Sequence, residues 1–263
     1  MIKPDSDGSL KISTNGHSIQ IGPNFKVEFQ RTLRIPDDGN EYPLPPGLGS
    51  FPIFRVDDYK DTVPKRWLEK GGLFIPMYQR EALWMSFETP YHRACAVKVG
   101  IGELDAISGK RLHRRLNKSH QNYLVTPDQP WLDGINSGKG FIRQFVAMPL
   151  GMGYTVEGQL TGEEKHGGIQ IQVFEPKPGL FSDTSRHERR YMNSEMVMEC
   201  CEAASMGLGA GGKMKQDIYP DPHGVETWDT ENFGKAYIHI VNSMDFREIT
   251  GLEPPVTPIS ARD

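Results

Sequence analysis

The sequence predicts a mainly β protein: an antiparallel β-sandwich or distorted barrel with long Gly/Pro-rich loops and one helix near 184–206. Two observations carry this expectation. Glycine and proline, 28 and 20 of 263 residues, break the chain almost everywhere, and the longest stretch free of both is 180–206. Between the breaks, apolar and polar residues alternate. The clearest case is Phe25–Ile35, where every odd position except Arg31 is apolar. Successive strand side chains face opposite sides, so this pattern marks a half-buried strand, with Val27 and Phe29 inside and Lys26 and Glu28 in water.

The elements follow in order. Leu10 and Ile12, then Ile19 and Ile21, flank Asn15-Gly16, the signature of a hairpin turn. Pro36–Gly39 reads as a turn, and Tyr42–Gly49 (YPLPPGLG) as an extended surface loop, because proline denies it a helix or a central strand. Residues 64–70 suit a short helical turn, and 77–88 fit helix or strand equally. Cys95, Val97, Val99 and Ile101 alternate, and Glu103–Ile107 returns across Gly102. Tyr123–Val125 and Ile169–Val173 read as strands, and Phe141–Met148, apolar on both faces apart from Arg143 and Gln144, as a central one. Gly207 is placed to stop the helix, and Ala236–Val241 forms a late strand. No repeat of 20–50 residues and no linker is visible, so one β-rich domain over 1–263 is expected.

Composition bounds the chemistry. Thirty-four acidic against 30 basic residues give no general attraction to nucleic acid or to an anionic membrane. Residues 1–8 lack the apolar run of a signal peptide, and no segment approaches the ~18 apolar residues of a spanning helix. Cys95 lies in an apolar strand, and the adjacent Cys200 and Cys201 make a poor mutual bridge. These features lead to the expectation of a reduced, soluble, cytoplasmic protein without a cofactor.

Four constellations could carry function. Gly207–Lys213 fits G-x-x-x-x-G-K, the phosphate-cradling loop. Met214 stands where a magnesium-holding hydroxyl belongs, however, and the segment follows a helix rather than joining a strand to one, so a flexible connector and no nucleotide binding are expected. Asp217, Asp221, His223, Asp229 and His239 offer oxygen and imidazole ligands for a divalent metal that could activate water, in no recognised ligand spacing. Turn chemistry alone accounts for Asp221-Pro-His-Gly224, which leaves His223 facing solvent and His239 hydrogen-bonded in its sheet. The basic run 110–120 could meet phosphates but lacks interleaved aromatics, and reads as a solvated loop. Trp131 with Asp133, Trp228 beside Asp229, and Tyr154 lie in turn-rich segments where an aromatic next to a carboxylate could grip a polar ligand. The competing reading makes each Trp a plug for the end of the sandwich. No G-x-S-x-G nucleophile elbow occurs, and no cysteine sits in a setting that favours a thiolate.

Asp128–Ile135 (DQPWLDGI), Ile142–Ile171 and Ile238–Ser260 together resemble an uncharacterised soluble protein family of bacterial and fungal genomes. That resemblance implies one integral domain and assigns no activity.

The functional expectation is a non-enzymatic binding or assembly protein that presents loops 36–50, 127–140, 149–168 and 207–235 on a β scaffold. Its partner would be a protein, a polar small molecule, a carbohydrate or further copies of itself, with neither membrane nor nucleic acid expected. The alternative is a metal-assisted hydrolase or related enzyme built on the five Asp and His residues of 217–239.

Overall fold

The computed structural model describes residues 10–138, 140–181 and 205–257. The chain opens with β1 (Ile12–Thr14), β2 (Ile19–Ile21) and β3 (Phe25–Thr32), paired as an antiparallel meander. Asn15 makes the first turn as the sequence predicts. Its Oδ1 accepts from the backbone N–H of His17 and Ser18, and Gly16 takes a positive φ. Then come β4 (Glu41–Tyr42), β5 (Gly47–Ser50), β6 (Phe54–Arg55), helix α1 (Lys65–Lys70), β7 (Leu73–Met77), β8 (Ala82–Glu88), β9 (Cys95–Ile101) and β10 (Leu104–Asp105). The second half holds β11 (Leu124–Thr126), β12 (Trp131–Leu132), β13 (Gly134–Gly138), β14 (Phe141–Pro149), helix α2 (Val156–Thr161) and β15 (Ile169–Pro176). It ends with β16 (Ser205–Lys215), β17 (Trp228–Asn242) and helix α3 (Ser243–Thr250).

These strands form one large, mainly antiparallel sheet that is not closed. Hydrogen-bonded neighbours run β1-β2-β3-β8-β14-β16-β17-β15-β9, with β10 and β11 both on the far side of β9. Two pairings are parallel, β4 on β16 and β7 on β17. The sheet coils until the first hairpin meets β17. Leu10 N–H donates to the Phe233 carbonyl at 3.2 Å, and Ile21 packs so closely on Gly234 that a Cβ there would lie 2.2 Å from its Cγ2.

Packing follows the alternation. Phe25, Val27 and Phe29 are fully buried, while Lys26 and Glu28 stay partly exposed and pair with each other at 2.7 Å. Arg31, the exception in the pattern, turns inward to Glu81, with Nη2 and Nε 2.6 and 2.7 Å from Oε1. Every residue of β9 is buried, because the strand has neighbours on both edges and packed layers on both faces. Lys98 is among them, and its Nζ lies 2.9 Å from Asp105 Oδ2. An aromatic group of Trp67, Phe74 and Phe246 anchors α1 and α3 to the sheet.

Several local expectations change. Ser205–Lys215 is a strand, so Gly207 ends no helix at 206 and the Gly-rich run is no flexible connector; the rest of the predicted helix, through 204, lies outside the described residues, as do Cys200 and Cys201. The glycines of β16 answer to crowding rather than to phosphate. A Cβ at Gly212 would lie 2.2 Å from the Pro36 carbonyl oxygen, and one at Gly209 would lie 2.9 Å from that of Tyr154. Other chain segments cross the strand there, and only glycine admits them. Lys213 lies with its Nζ 3.6 Å from the centroid of the Phe141 ring. Loop 207–235 is thus strand at both ends, loop 149–168 contains α2, and the Pro-rich 36–50 segment supplies β4 and β5. The ambiguous segment 77–88 resolves as strand from Ala82 onward.

Candidate ligand-binding cavity

Two of the predicted loops meet. Residues 121–138 and 140–142, from before β11 to the start of β14, face the irregular segment 216–220 that follows β16, and a cavity of about 340 Å³ lies between them. That volume sits at the lower end of the range of small-molecule sites, roughly 300–1,000 Å³. Its lining mixes Gln121, Asn136, Gln216 and Asp217 with Phe141 and Pro220.

The far wall is not in the sheet, so its backbone groups need other partners. Three glutamines supply them. Gln121 Nε2 donates to the Tyr219 carbonyl at 2.9 Å, and its Oε1 accepts from Asp221 N–H at 3.0 Å. Gln129 Oε1 accepts from Tyr219 N–H at 3.0 Å, and Gln216 Oε1 from Asp133 N–H at 3.1 Å. Gln216 Nε2 also donates to the Trp131 carbonyl at 3.3 Å. Asn136 donates to the Ile107 carbonyl at 2.7 Å. An amide group offers two N–H donors and two oxygen lone pairs, so Gln216 and Asn136 keep hydrogen-bonding capacity beyond these contacts.

Asp221 pins the same wall. It accepts from the Tyr123 hydroxyl at 2.6 Å, Trp228 Nε1 at 2.9 Å, and the backbone N–H groups of His223 and Gly224 at 2.8 and 3.1 Å. Burial alone would raise its carboxyl, but the bonds from Tyr123 and Trp228 outweigh burial and hold it below the ordinary carboxylate range. Trp228 is buried with its indole N–H bonded to Asp221, so it offers no exposed face to a ligand.

Trp131 is 40% exposed at the start of the near wall. Asp133, two residues on, is buried, and its Oδ1 has no hydrogen-bond partner. Burial pushes its carboxyl up to about 7, opposed by a hydrogen bond from Trp131. A carboxyl raised in this way keeps its proton in the folded state, so its contribution to stability is complete below pH ~4 and is lost as pH rises through 7. Asp133→Asn should therefore stabilise the protein more at pH 8 than at pH 5 in paired thermal melts. An equal difference at both pH values would contradict the assignment.

The other predicted residues fall elsewhere. Tyr154 is exposed on the loop before α2 and does not line this cavity. Asp229 closes a local turn by accepting from Glu231 and Asn232 N–H. His223 is exposed, with its ring edge-on to Phe181 and Trp228. His239 stacks on Trp67 at 4.5 Å, and its Nε2 lies 3.0 Å from the Gly71 carbonyl. A carbonyl can only accept, so Nε2 carries the proton. Among the described residues, no group of three or more His, Cys, Asp or Glu is placed to hold a metal ion. The basic run 110–120 forms no helix; Leu116 is buried and Arg114 covers the Phe233 ring at 5.0 Å.

Of the residues singled out in the sequence, Asp217 lines this cavity, though the sequence offers it as a candidate metal ligand; Trp131 and Asp133 do not line it, and Gln121, Asn136 and Gln216 are not among those singled out. Amides in turn-rich segments follow no spacing rule. Their one signal is proximity to an aromatic-acid pair, and that pair does not itself line the cavity. No family model, curated protein or solved structure matches this chain. Among the described residues, no helix is long and apolar enough to cross a membrane.

Proposed function

We propose that the protein is a non-enzymatic binding protein whose site is the cavity that faces 216–220, and that its ligand is a polar small molecule of carbohydrate type. The supporting observation is the lining. Amide groups with spare donors and acceptors, and one exposed carboxylate, Asp217, surround the apolar faces of Phe141 and Pro220. Neutral hydrogen-bonding groups beside a flat apolar surface suit a ligand with alternating hydroxyl and C–H faces.

Calorimetric titration with a panel of mono- and oligosaccharides tests this reading. Saturable binding that falls at least about tenfold in Asp217→Ala, or the ~1.4 kcal/mol of one lost charge-assisted hydrogen bond, is expected. Binding by no member of the panel would count against a carbohydrate.

A further inference from the structure

A second concave site, separate from this cavity and independent of the function proposed for it, lies where α1 meets the turn before β15. Arg66 and Lys70, one helical turn apart and so on one face of α1, approach Lys165 and His166 around a cavity of about 50 Å³. Trp67, His239, Leu150, Met206 and Ile240 complete the lining with Gly168, and it contains no carboxylate. In a chain with more acidic than basic residues, four basic side chains around one cavity, with no carboxylate among its described lining residues, are a local departure from the mean.

The arrangement is held from below. Lys70 Nζ lies 3.2 Å from His166 Nδ1, 3.3 Å from the Tyr237 hydroxyl and 4.4 Å from the Tyr237 ring centroid. Tyr237 in turn fixes the turn, its hydroxyl 2.7 and 2.8 Å from the His166 and Gly167 carbonyls. Trp67 and His239 stack at 4.5 Å with planes 20° apart, giving a rigid aromatic floor. Burial pushes the His239 imidazole down to about 3, so the floor is neutral and the positive charge sits at the mouth. Glu103 lies 2.9 Å from His166 Nε2 and Glu163 2.6 Å from Lys165 Nζ, and both acids line a neighbouring cavity that shares Lys165 and His166.

We propose that this pocket is an oxyanion-binding site, taking the phosphate or carboxylate head of a small molecule between Arg66, Lys70 and Lys165, with His166 orienting Lys70 through its Nδ1. Cations on two elements converge from opposite sides, and concave, partly desolvated walls strengthen each charge-assisted hydrogen bond. The small volume suits a head group and excludes a bulky ligand body.

The test is calorimetric titration of the full chain with inorganic phosphate and with benzoate, at constant ionic strength in a chloride background. Saturable binding of at least one anion is expected, weakened about tenfold or more in the Arg66→Ala/Lys165→Ala double variant, as loss of one or two charge-assisted contacts would give. Both residues are exposed, so the variant should keep the parent's circular dichroism spectrum, and Arg66→Lys alone should retain most of the affinity. Phosphate binding without benzoate would assign a phosphate-bearing ligand, and the reverse a carboxylate-bearing one. No saturable heat with either anion, or equal affinity in the double variant, would overturn the proposal.

Discussion

Asp105→Asn should lower the unfolding free energy by about 3–5 kcal/mol, the usual cost of leaving a buried charge without its partner. Lys98 and Asp105 are 0% and 1% exposed, with Nζ and Oδ2 2.9 Å apart. The substitution is nearly isosteric. Asparagine can still accept from Ile107 and Ser108 N–H, which donate to Asp105 Oδ1 at 3.1 and 2.9 Å, so the turn survives and the charge alone is lost. Burial already pulls the Lys98 ammonium below its ordinary value, and Asp105 is what opposes that pull. Lys98→Met in the Asp105→Asn background removes the orphaned charge and should recover most of the loss. Urea unfolding of the two single variants and the double variant measures the coupling. Equal destabilisation of the Asp105→Asn and double variants would show that packing, and not the ion pair, sets the cost.

Phe29→Ala should cost about 3–5 kcal/mol, whereas Glu28→Ala should change stability by no more than about 1 kcal/mol. Phe29 is fully buried in the middle of β3 and within the main core, opposite Met85 of β8 on one side and accepting from Phe51 N–H at 2.8 Å on the other. Sheet neighbours on both sides limit collapse into the vacated space, so the cavity term is retained. Glu28, next to it, faces the other way. Its contacts, to Lys26 at 2.7 Å, Gln30 at 3.1 Å and Ser50 at 3.2 Å, lie at a partly exposed surface, where screening leaves little net gain. Small, equal effects in denaturant unfolding would mean that β3 does not bear on the core.

The strands were legible where local chemistry decides them. Alternation at Phe25–Thr32, Cys95–Ile101 and Ile169–Val173, the Asn15-Gly16 turn, and the short helix after Pro64 all follow from periodicity or turn preference. Strand β16 was not, because its glycines reflect the crossing segments at Pro36 and Tyr154, a long-range fact with no local trace. Helices α2 and α3 did leave traces. Thr155 and Asn242 accept from Gly158 and Met244 N–H as N-caps, and Gly162 and Gly251 end the helices in the left-handed conformation. These signals were hidden by the glycines around α2 and by the strand running into α3. The inward pairing of Lys98 with Asp105 was equally invisible. Alternation marks one face of β9 as apolar, and says nothing about a strand buried on both. The cavity was barely legible: Trp131 and Asp133 flank Leu132, which lines it, but do not line it themselves, and the amides of Gln121, Asn136 and Gln216 belong to no motif.

Ligand binding in the cavity that faces 216–220 is read directly by amide NMR of the full chain, titrated with the saccharide that binds best by calorimetry. Saturable shifts are expected at Asn136, Gly140–Ile142 and Gln216–Ile218, with a silent α1 face at Arg66–Lys70. Shifts confined to the α1 face or scattered over the surface, with the Gln216–Ile218 amides unmoved at saturation, would contradict binding in the cavity.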